Sequence, residues 1–364
     1  MWSGCFKMKT TRAIQLGKLV IGGGSPVTVQ SMTNTDTRDV VATSEQIRQL
    51  GLSGCDIVRV SVYDKECARA VRPLVDGTRI PLVADIHFDY ELALLAMENG
   101  INKLRINPGN LRNEQEVRAV ADCAKAHGIP IRIGVNSGSV PKDILARDGG
   151  VTAQGLVDSA LGHVRLLEQA GFDQIVLSLK ASDVRLMVEA YRLASRTFDY
   201  PLHLGVTEAG LPGQGTLKSA IGIGALLLDG IGDTLRVSLT GSPLTEPEAA
   251  INILKALGMR GGLELISCPT CGRTEVDIED IAQRVQEATR HITEPVKVAI
   301  MGCVVNGPGE AKGADIAFCG GKTGSALYRQ GKFVKRITED PVPDILRMID
   351  EHLQQQKLRN STDA

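Results

Sequence analysis

Eight times between residues 27 and 258 the chain repeats one pattern: a short β-rich run, a polar tip and a helical stretch. The candidate strands are VTVQS (27–31), IVRVSV (57–62), PLVAD (81–85), KLRIN (103–107), IRIGVN (131–136), QIVLSLK (174–180), LHLGVT (202–207) and TLRVSLT (234–240). Helical stretches such as ELALLAMENG and EQEVRAVADCAKAHG lie between them, each ending in a glycine suited to close a helix. Alternating strands and helices imply a parallel sheet. Eight such units in about 230 residues match a closed TIM (β/α)8 barrel. Periodicity does not count closure, so a doubly wound open sheet is the competing arrangement. The longest interval, after IRIGVN, contains SGSVPKDILARDGG and predicts an extra loop over the barrel mouth.

EPEAAINILKALG (246–258) reads as the eighth helix and MRGG as a linker, so the barrel domain is expected over residues 1–258. Beyond it the character changes to a compact α+β module over residues 263–355. That module holds LELIS, a CPTC turn, the helix DIEDIAQRVQEATRH, the strand VKVAIMG, GADIAFCGG, the basic strand GKFVKRI and the helix DILRMIDEHLQQQ. Residues 356–364, ending in LRNSTDA, read as a disordered tail.

Charge and composition exclude several function classes. The net charge is −1 and the pI about 6.6, so no global field attracts nucleic acid or an anionic membrane. Aromatic residues make up only 3%, too few for a base-stacking platform. The beginning, MWSGCFKMKTTRAIQ, has no apolar core of a secretory signal, and the longest apolar run, AIGIGALLL, is far short of a membrane span. A soluble cytoplasmic protein is expected. Its eight cysteines are then thiols and ligands, not a disulfide framework. Cys55, Cys67 and Cys123 sit in apolar or helical settings and read as structural, and Cys5 carries no signal.

Chemistry in such a barrel sits at the C-terminal ends of the strands. Read at period two, the inward positions there are Arg59, Ser61, Asp85, Arg105, Asn107, Arg132, Asn136, Ser178, Lys180, Arg236 and Ser238. The loops beyond add His87, Asn110, Thr207 and Glu208. An inward cation costs several kcal/mol of desolvation unless an anion accompanies it. Arg59, Arg105, Arg132, Lys180 and Arg236 face only Asp85 and Glu208, which leaves a surplus of positive charge in one funnel. Guanidinium forks fit phosphate oxygens, so a small phosphorylated or diphosphate substrate is expected. Neither the G-x-G-x-x-G fingerprint nor the Walker pattern occurs, which argues against a dinucleotide or a P-loop nucleotide.

The second module carries a different chemistry. Cys268-x-x-Cys271 followed by Cys303 is too widely spaced for a zinc knuckle built from two C-x-x-C pairs. The C-x3-C-x2-C triplet of radical enzymes is absent as well. Three thiolates suit a [4Fe–4S] cluster. Its fourth ligand is either Cys319, in FCGG, or Glu310, which the NGPG turn can fold back toward the metal. Zinc is the structural alternative.

SCPTCGRTE together with MGCVVNGPGE, and RINPGN and IRIGVNSGS on successive strands, resemble the bacterial 4-hydroxy-3-methylbut-2-enyl diphosphate synthases over essentially the whole chain. The resemblance implies a TIM barrel followed by a smaller α+β cluster domain of the sulfite and nitrite reductase type. It implies that Cys268, Cys271, Cys303 and Glu310 hold a [4Fe–4S] cluster whose oxygen ligand leaves one iron exchangeable. It implies reductive ring opening and dehydroxylation of 2-C-methyl-D-erythritol 2,4-cyclodiphosphate in the methylerythritol phosphate route to isoprenoids. Arg59, Arg105, Arg132, Asn136, Lys180, Arg236 and Ser238 would then grip the diphosphate, with Asp85, His87 and Asn107 beside it. Glu208 would hydrogen-bond or protonate the departing hydroxyl.

Such a cluster passes single electrons, so flavodoxin or ferredoxin is the expected donor, and Lys332, Lys335 and Arg336 of GKFVKRI are its candidate dock. A solvated edge strand is the plainer reading of that segment. The eighth helix returns the chain to the bottom of the barrel, and the four-residue linker reaches about 14 Å at most. The cluster domain would therefore serve the mouth of a second subunit, in a head-to-tail homodimer. Two rivals accompany this reading: another iron–sulfur reductase or dehydratase of a phosphorylated polyol, and a zinc-stabilised nucleic-acid-binding protein.

Overall fold

The computed structural model describes residues 8–87, 89–106, 113–303, 309, 311–322 and 324–362. It divides into two compact units, Met1–Ile253 and Leu254–Ala364.

The first unit opens with an antiparallel hairpin of β1 (Ile14–Leu16) and β2 (Leu19–Ile21), which the periodicity did not predict. Eight parallel strands follow: β3 (Thr28–Met32), β4 (Ile57–Ser61), β5 (Leu82–Asp85), β6 (Lys103–Ile106), β7 (Ile131–Asn136), β8 (Ile175–Lys180), β9 (His203–Leu204) and β10 (Thr234–Leu235). They pair in the order β8-β7-β6-β5-β4-β3-β10-β9, and a bridge from Leu177 to Leu202 joins the two ends. Closure excludes the open doubly wound sheet. The last two strands are far shorter than expected, because only two residues of each make ladder bonds.

Helices α1 (Val40–Leu52), α2 (Lys65–Asp76), α3 (Tyr90–Glu98) and α4 (Glu114–His127) cover the first strands. After β7, α5 (Lys142–Asp148) occupies the interval read as a mouth loop, so that stretch is partly helical. Then come α6 (Ala153–Gln169), α7 (Val184–Thr197), α8 (Gln214–Leu228) and α9 (Thr245–Ala256). Most of these helices start where a short polar side chain meets the strand-to-helix turn. Asp39, Asp64, Asp89, Asn113, Thr152 and Asp183 each accept a backbone N–H of the first turn. A cap of this kind contributes about 1 kcal/mol and fixes where the loop ends. With helices outside and side chains inside, β7 and β8 are buried on both faces, as their apolar runs require. Cys55 and Cys67 are buried, and the Cys55 thiol donates to the Ile57 carbonyl at 3.0 Å.

The strand registers decide which inward residues meet. Every second strand around a barrel of this shear advances two residues, so inward side chains stack in layers of four from alternate strands. Ile57, Lys103, Val176 and Thr234 form the lowest complete layer, with Gln30, Val83, Arg132 and His203 above it. Arg59, Arg105, Ser178 and Arg236 come next, then Met32, Asp85, Gly134 and Gly205, with Ser61, Lys180 and Ser238 at the rim. Ile14, Leu16 and Ile21 of the hairpin pack on Ile57, Val83 and Val176 and seal the bottom. The hairpin thus gives the barrel an apolar floor, and basic side chains stand in the layers above it.

His163, on α6, is buried, and its Nδ1 has no partner among the described residues. Burial lowers its pKa from the ordinary 6.5 to about 4. Above pH 6.5 neither folded nor unfolded chain holds that proton. Below it the unfolded chain binds the proton first, so stability falls with pH until about pH 4. The gap corresponds to about 3 kcal/mol. His163→Leu should therefore lose less stability than the parent between pH 7 and 4.5, as read from urea midpoints.

The second unit carries a five-stranded mixed sheet in the order β11-β12-β13-β14-β15. Its strands are β11 (Leu263–Ser267), β12 (Val296–Met301), β13 (Ile316–Cys319), β14 (Ser325–Arg329) and β15 (Lys332–Ile337). The strand β14 was not anticipated, since SALYR carries only a weak alternation. Helix α10 (Ile278–Ala288) and the C-terminal helix (Val342–Thr362) pack Ile281, Val285, Ile345 and Ile349 onto Val298, Ile300, Ile316 and Phe318 of the sheet. That last helix runs to Thr362, so residues 356–362 of the expected tail are helical instead. Lys357 pairs with Glu294 at 3.0 Å, and Gln356 donates to the Pro295 carbonyl at 3.3 Å, which ties its final turns to the domain. No helix among the described residues is long and apolar enough to cross a membrane.

Candidate active site

At the mouth of the barrel Asp85 is the hub, with its side chain 7% exposed. Arg105 donates from NH1 to Oδ1 at 3.2 Å, His87 Nε2 lies 3.2 Å from Oδ2, and Arg59 Nε lies 3.9 Å from the same oxygen. Burial alone would raise this carboxyl, but Arg59, His87 and Arg105 outweigh it and hold Asp85 well below the ordinary carboxylate range. Burial also brings Arg59 down to about 10, with Arg236 and Arg105 adding to the fall against the pull of Asp85 and Glu246.

Arg236 has a partner that the sequence reading missed. Glu246, on the first turn of α9, is buried and takes both prongs of the guanidinium, at 3.0 Å from Nε and 3.0 Å from NH2. It also accepts from Ser31 Oγ at 2.7 Å and from the Leu239 N–H at 3.2 Å. Removing one member of a buried ion pair strands the other charge, at a cost of about 3 kcal/mol or more. Glu246→Gln should accordingly lower the denaturant midpoint clearly, and an unchanged midpoint would exclude the pair as a structural clamp. Met32 was missed too. Its thioether lies 3.0 Å from Arg59 Nε and 3.6 Å from Arg236 NH1, a soft contact that spaces two cations without neutralising either.

Two glycines make room for long cations. A Cβ at Gly134 would lie 2.6 Å from Arg105 Nε, and one at Gly205 would lie 2.7 Å from Lys180 Nζ. Both cations therefore lie across bare backbone near the barrel axis. Burial, and then neighbouring arginines, push Lys180 well below its ordinary value, and the same two causes act on Arg132. A guanidinium does not give up its proton in a protein.

The charge balance differs in detail from the expected one. Lys103, buried on β6, joins Arg59, Arg105, Arg132, Lys180 and Arg236 inside the barrel, while the carboxylates facing them are Asp85 and Glu246. Glu208 is exposed in the loop after β9 and has a left-handed backbone, φ +53°. An αL conformation outside glycine costs about 1 kcal/mol or more, and such strain concentrates at functional loops. Asn136 and Ser238 are half-buried near the rim, and the Ser139 hydroxyl donates to the Asn136 carbonyl at 3.0 Å. Asn107 and Asn110 lie outside the described residues.

In the second unit the parallel pairing of β11 and β12 matches Ser267 with Ile300, which places Cys268 and Cys303 just beyond adjacent strand ends. The Gly302 N–H donates to Cys268 Sγ at 3.2 Å. Cys271 is exposed in the turn that follows, where the Arg273 N–H and then its guanidinium lower the thiol pKa. Cys319, at the end of β13, is buried, and burial followed by the nearness of Cys303 and Cys268 pushes its thiol up to about 11. Cys268, Cys303 and Cys319 thus share one end of the sheet. Glu310 lies outside the described residues. Among the described residues no three His, Cys, Asp or Glu side chains converge closely enough to hold a metal ion. The donor chemistry nevertheless fits an iron–sulfur group, because an N–H on Cys268 sulfur and a lowered Cys271 thiol both favour thiolate ligands.

Comparison with known proteins agrees with both units. The GcpE TIM-barrel domain matches residues 11–251, and the GcpE protein C-terminal domain matches residues 264–351. A protein of Caldanaerobacter subterraneus subsp. tengcongensis named 4-hydroxy-3-methylbut-2-en-1-yl diphosphate synthase (flavodoxin) is 53% identical over 350 residues, covering 96% of this chain and 99% of that one. One of the same name from Clostridium tetani is 54% identical over 333 residues, covering 91% and 95%. Among solved structures, dihydropteroate synthase from Stenotrophomonas maltophilia aligns with a TM-score of 0.51 at 15% identity, covering 68% of this chain and 97% of that one, a likeness of fold alone. With both domains matched in order, and about half of all residues shared with relatives of full length, the chain belongs to the GcpE family.

Proposed function

We propose that this chain is the iron–sulfur oxidoreductase that converts 2-C-methyl-D-erythritol 2,4-cyclodiphosphate to 4-hydroxy-3-methylbut-2-enyl diphosphate, with flavodoxin as electron donor. The observation that carries the reading is the cation surplus inside the barrel, where six basic side chains meet two carboxylates. A diphosphate supplies the missing negative charge, and the shared names of the relatives specify which one. The ring opens at a C–O bond, a hydroxyl leaves as water and a C=C bond forms, consuming two electrons and two protons.

Arg59, Arg105, Arg132, Lys180 and Arg236 hold the diphosphate, and Asn136 and Ser238 at the rim add neutral donors. Asp85, kept ionised, fixes Arg105 and His87 in position before the substrate arrives. That preorganisation spares the rearrangement otherwise needed on binding. Glu208, in its strained loop, is the group for the leaving hydroxyl, and Asn107 is a further candidate for substrate contact. Cys268, Cys271, Cys303 and Glu310 would hold a [4Fe–4S] cluster, which when bound supplies the electrons singly and offers one exchangeable iron.

Flavodoxin carries acidic surface, and β15 offers a basic edge for it. Lys332 and Arg336 are exposed there beside Phe333 and Val334, while Lys335 is engaged by Asp344 at 2.7 Å. Reversing Lys332 and Arg336 to Glu should slow the flavodoxin-dependent rate severalfold and leave the rate with a small chemical reductant intact. Equal loss with both reductants would exclude β15 as the dock. A head-to-tail homodimer in the cytoplasm completes the reading, since the short linker then delivers each cluster domain to the other subunit's barrel. A strictly monomeric species with full activity would contradict that arrangement.

The decisive experiment is anaerobic purification followed by an assay of the cyclodiphosphate with a low-potential reductant. Brown, oxygen-bleached protein that releases the butenyl diphosphate supports the reading. Colourless protein containing zinc, or inactivity with a full iron complement, overturns it.

A further inference from the structure

Toward its base the barrel holds a set of buried polar groups of which the diphosphate reading assigns only Arg132 to the substrate. Lys103 Nζ, Arg132 Nε and NH1, His203 Nε2, both side-chain ends of Gln30 and the Thr28 hydroxyl are buried and have no hydrogen-bond partner among the described residues. Lys103, Arg132, His203 and Gln30 are each no more than 1% exposed. They are not scattered. Lys103 and Thr234 belong to the lowest complete layer of the barrel, and Gln30, Arg132 and His203 to the layer directly above. His203 and Thr234 touch, with Nδ1 to Oγ1 at 3.3 Å. A neutral imidazole that accepts this hydroxyl at Nδ1 turns its Nε2–H toward the axis. Arg132 shares the layer of His203, and Lys103 stands in the layer directly beneath.

We infer that these groups form an anion site for a small monovalent anion such as a halide, beneath the substrate funnel and sharing Arg132 with it. Water could satisfy the hydrogen bonds, but it cannot compensate the charge of a guanidinium that never deprotonates. No carboxylate lies in these two layers. Asp56 and Asp233, at the strand beginnings, are turned to the backbone N–H groups of Val29 and Leu202. Asp85, two layers above Arg132, is already committed to Arg105 and His87. The remaining wall is Ile57, Val83 and Val176 backed by the hairpin, so the set has an apolar floor.

Lys103, the deepest of these groups, lies below every residue assigned to the diphosphate. Lys103 and Lys180 stand four layers apart, about 11 Å along the axis at roughly 3.3 Å per residue and 36° tilt. An anion reaches the site from the mouth past the Arg105 and Lys180 side chains, which fill the gaps left by Gly134 and Gly205. The anion would then lie beneath Arg132 and neutralise its lower side, while the upper side remains free for phosphate.

Crystals of the holoenzyme grown in bromide without substrate, and measured at the bromine absorption edge, test this directly. The expected result is an anomalous peak among Lys103, Arg132, His203 and Gln30 that disappears in Lys103→Met. In solution, exchanging chloride for gluconate at constant ionic strength should lower the melting temperature of the parent by several degrees and leave that of Lys103→Met unmoved. Two results overturn the proposal: bromide confined to the barrel mouth, or the same halide dependence in both proteins. Should Lys103→Met fail to fold, the anomalous map of the parent decides alone. Because no cyclodiphosphate is present, the outcome is independent of whether that molecule is the substrate.

Discussion

Exchanging Arg105 and Arg132 for methionine should abolish binding of the cyclic diphosphate proposed for this barrel. Each arginine supplies charge-assisted hydrogen bonds worth about 2–3 kcal/mol against a phosphate. Losing both weakens binding by about a thousandfold or more. Methionine approximates the length of the side-chain stem; at position 132 it removes a desolvated charge whose neighbours already repel it, and at position 105 it takes one of several partners from Asp85. Asp85 keeps Arg59 and His87 as partners after the change. Calorimetric titration with the cyclodiphosphate reads the loss, and a urea midpoint confirms the fold. Unchanged affinity would remove the diphosphate from the barrel altogether.

Two substitutions in the second domain separate cluster assembly from turnover. Cys268→Ala deletes the sulfur that accepts the Gly302 N–H. Iron and sulfide should fall to background and activity by more than about 100-fold, since even outer contacts of a metal site carry losses of that order. Glu310→Cys should behave differently, with iron, sulfide and brown colour retained and turnover lost, because a fourth thiolate closes the exchangeable position. Full activity in Glu310→Cys would mean that the oxygen ligand is dispensable, and Cys319, buried beside Cys268 and Cys303, would become the ligand to test.

Much of this was legible without coordinates. Period-two alternation assigned Arg59, Asp85, Arg105, Arg132, Lys180 and Arg236 to the inner face, and in the structure they stand there. It did so because neighbouring side chains on a strand cannot share a face. Alternation was silent on height. Lys103 has the same parity as Arg105, in KLRIN, yet it sits two layers lower among groups without partners. Glu246 escaped notice because it belongs to a helix. Its contact with Arg236 depends on how α9 packs, and no strand pattern records that. Glu208 was expected to balance the cations, but its exposed left-handed position leaves that role to Glu246.

The amino-acid order alone determined eight β/α units, the inward parity of the basic residues and the spacing of the cysteines. All of these follow from local rules of pleat, cap and motif. Only the tertiary structure decided that the sheet closes, which inward residues share a layer, and which cations are left without a counter-charge. Those are consequences of shear and long-range packing, which bring together residues some two hundred positions apart, such as Ser31 and Glu246.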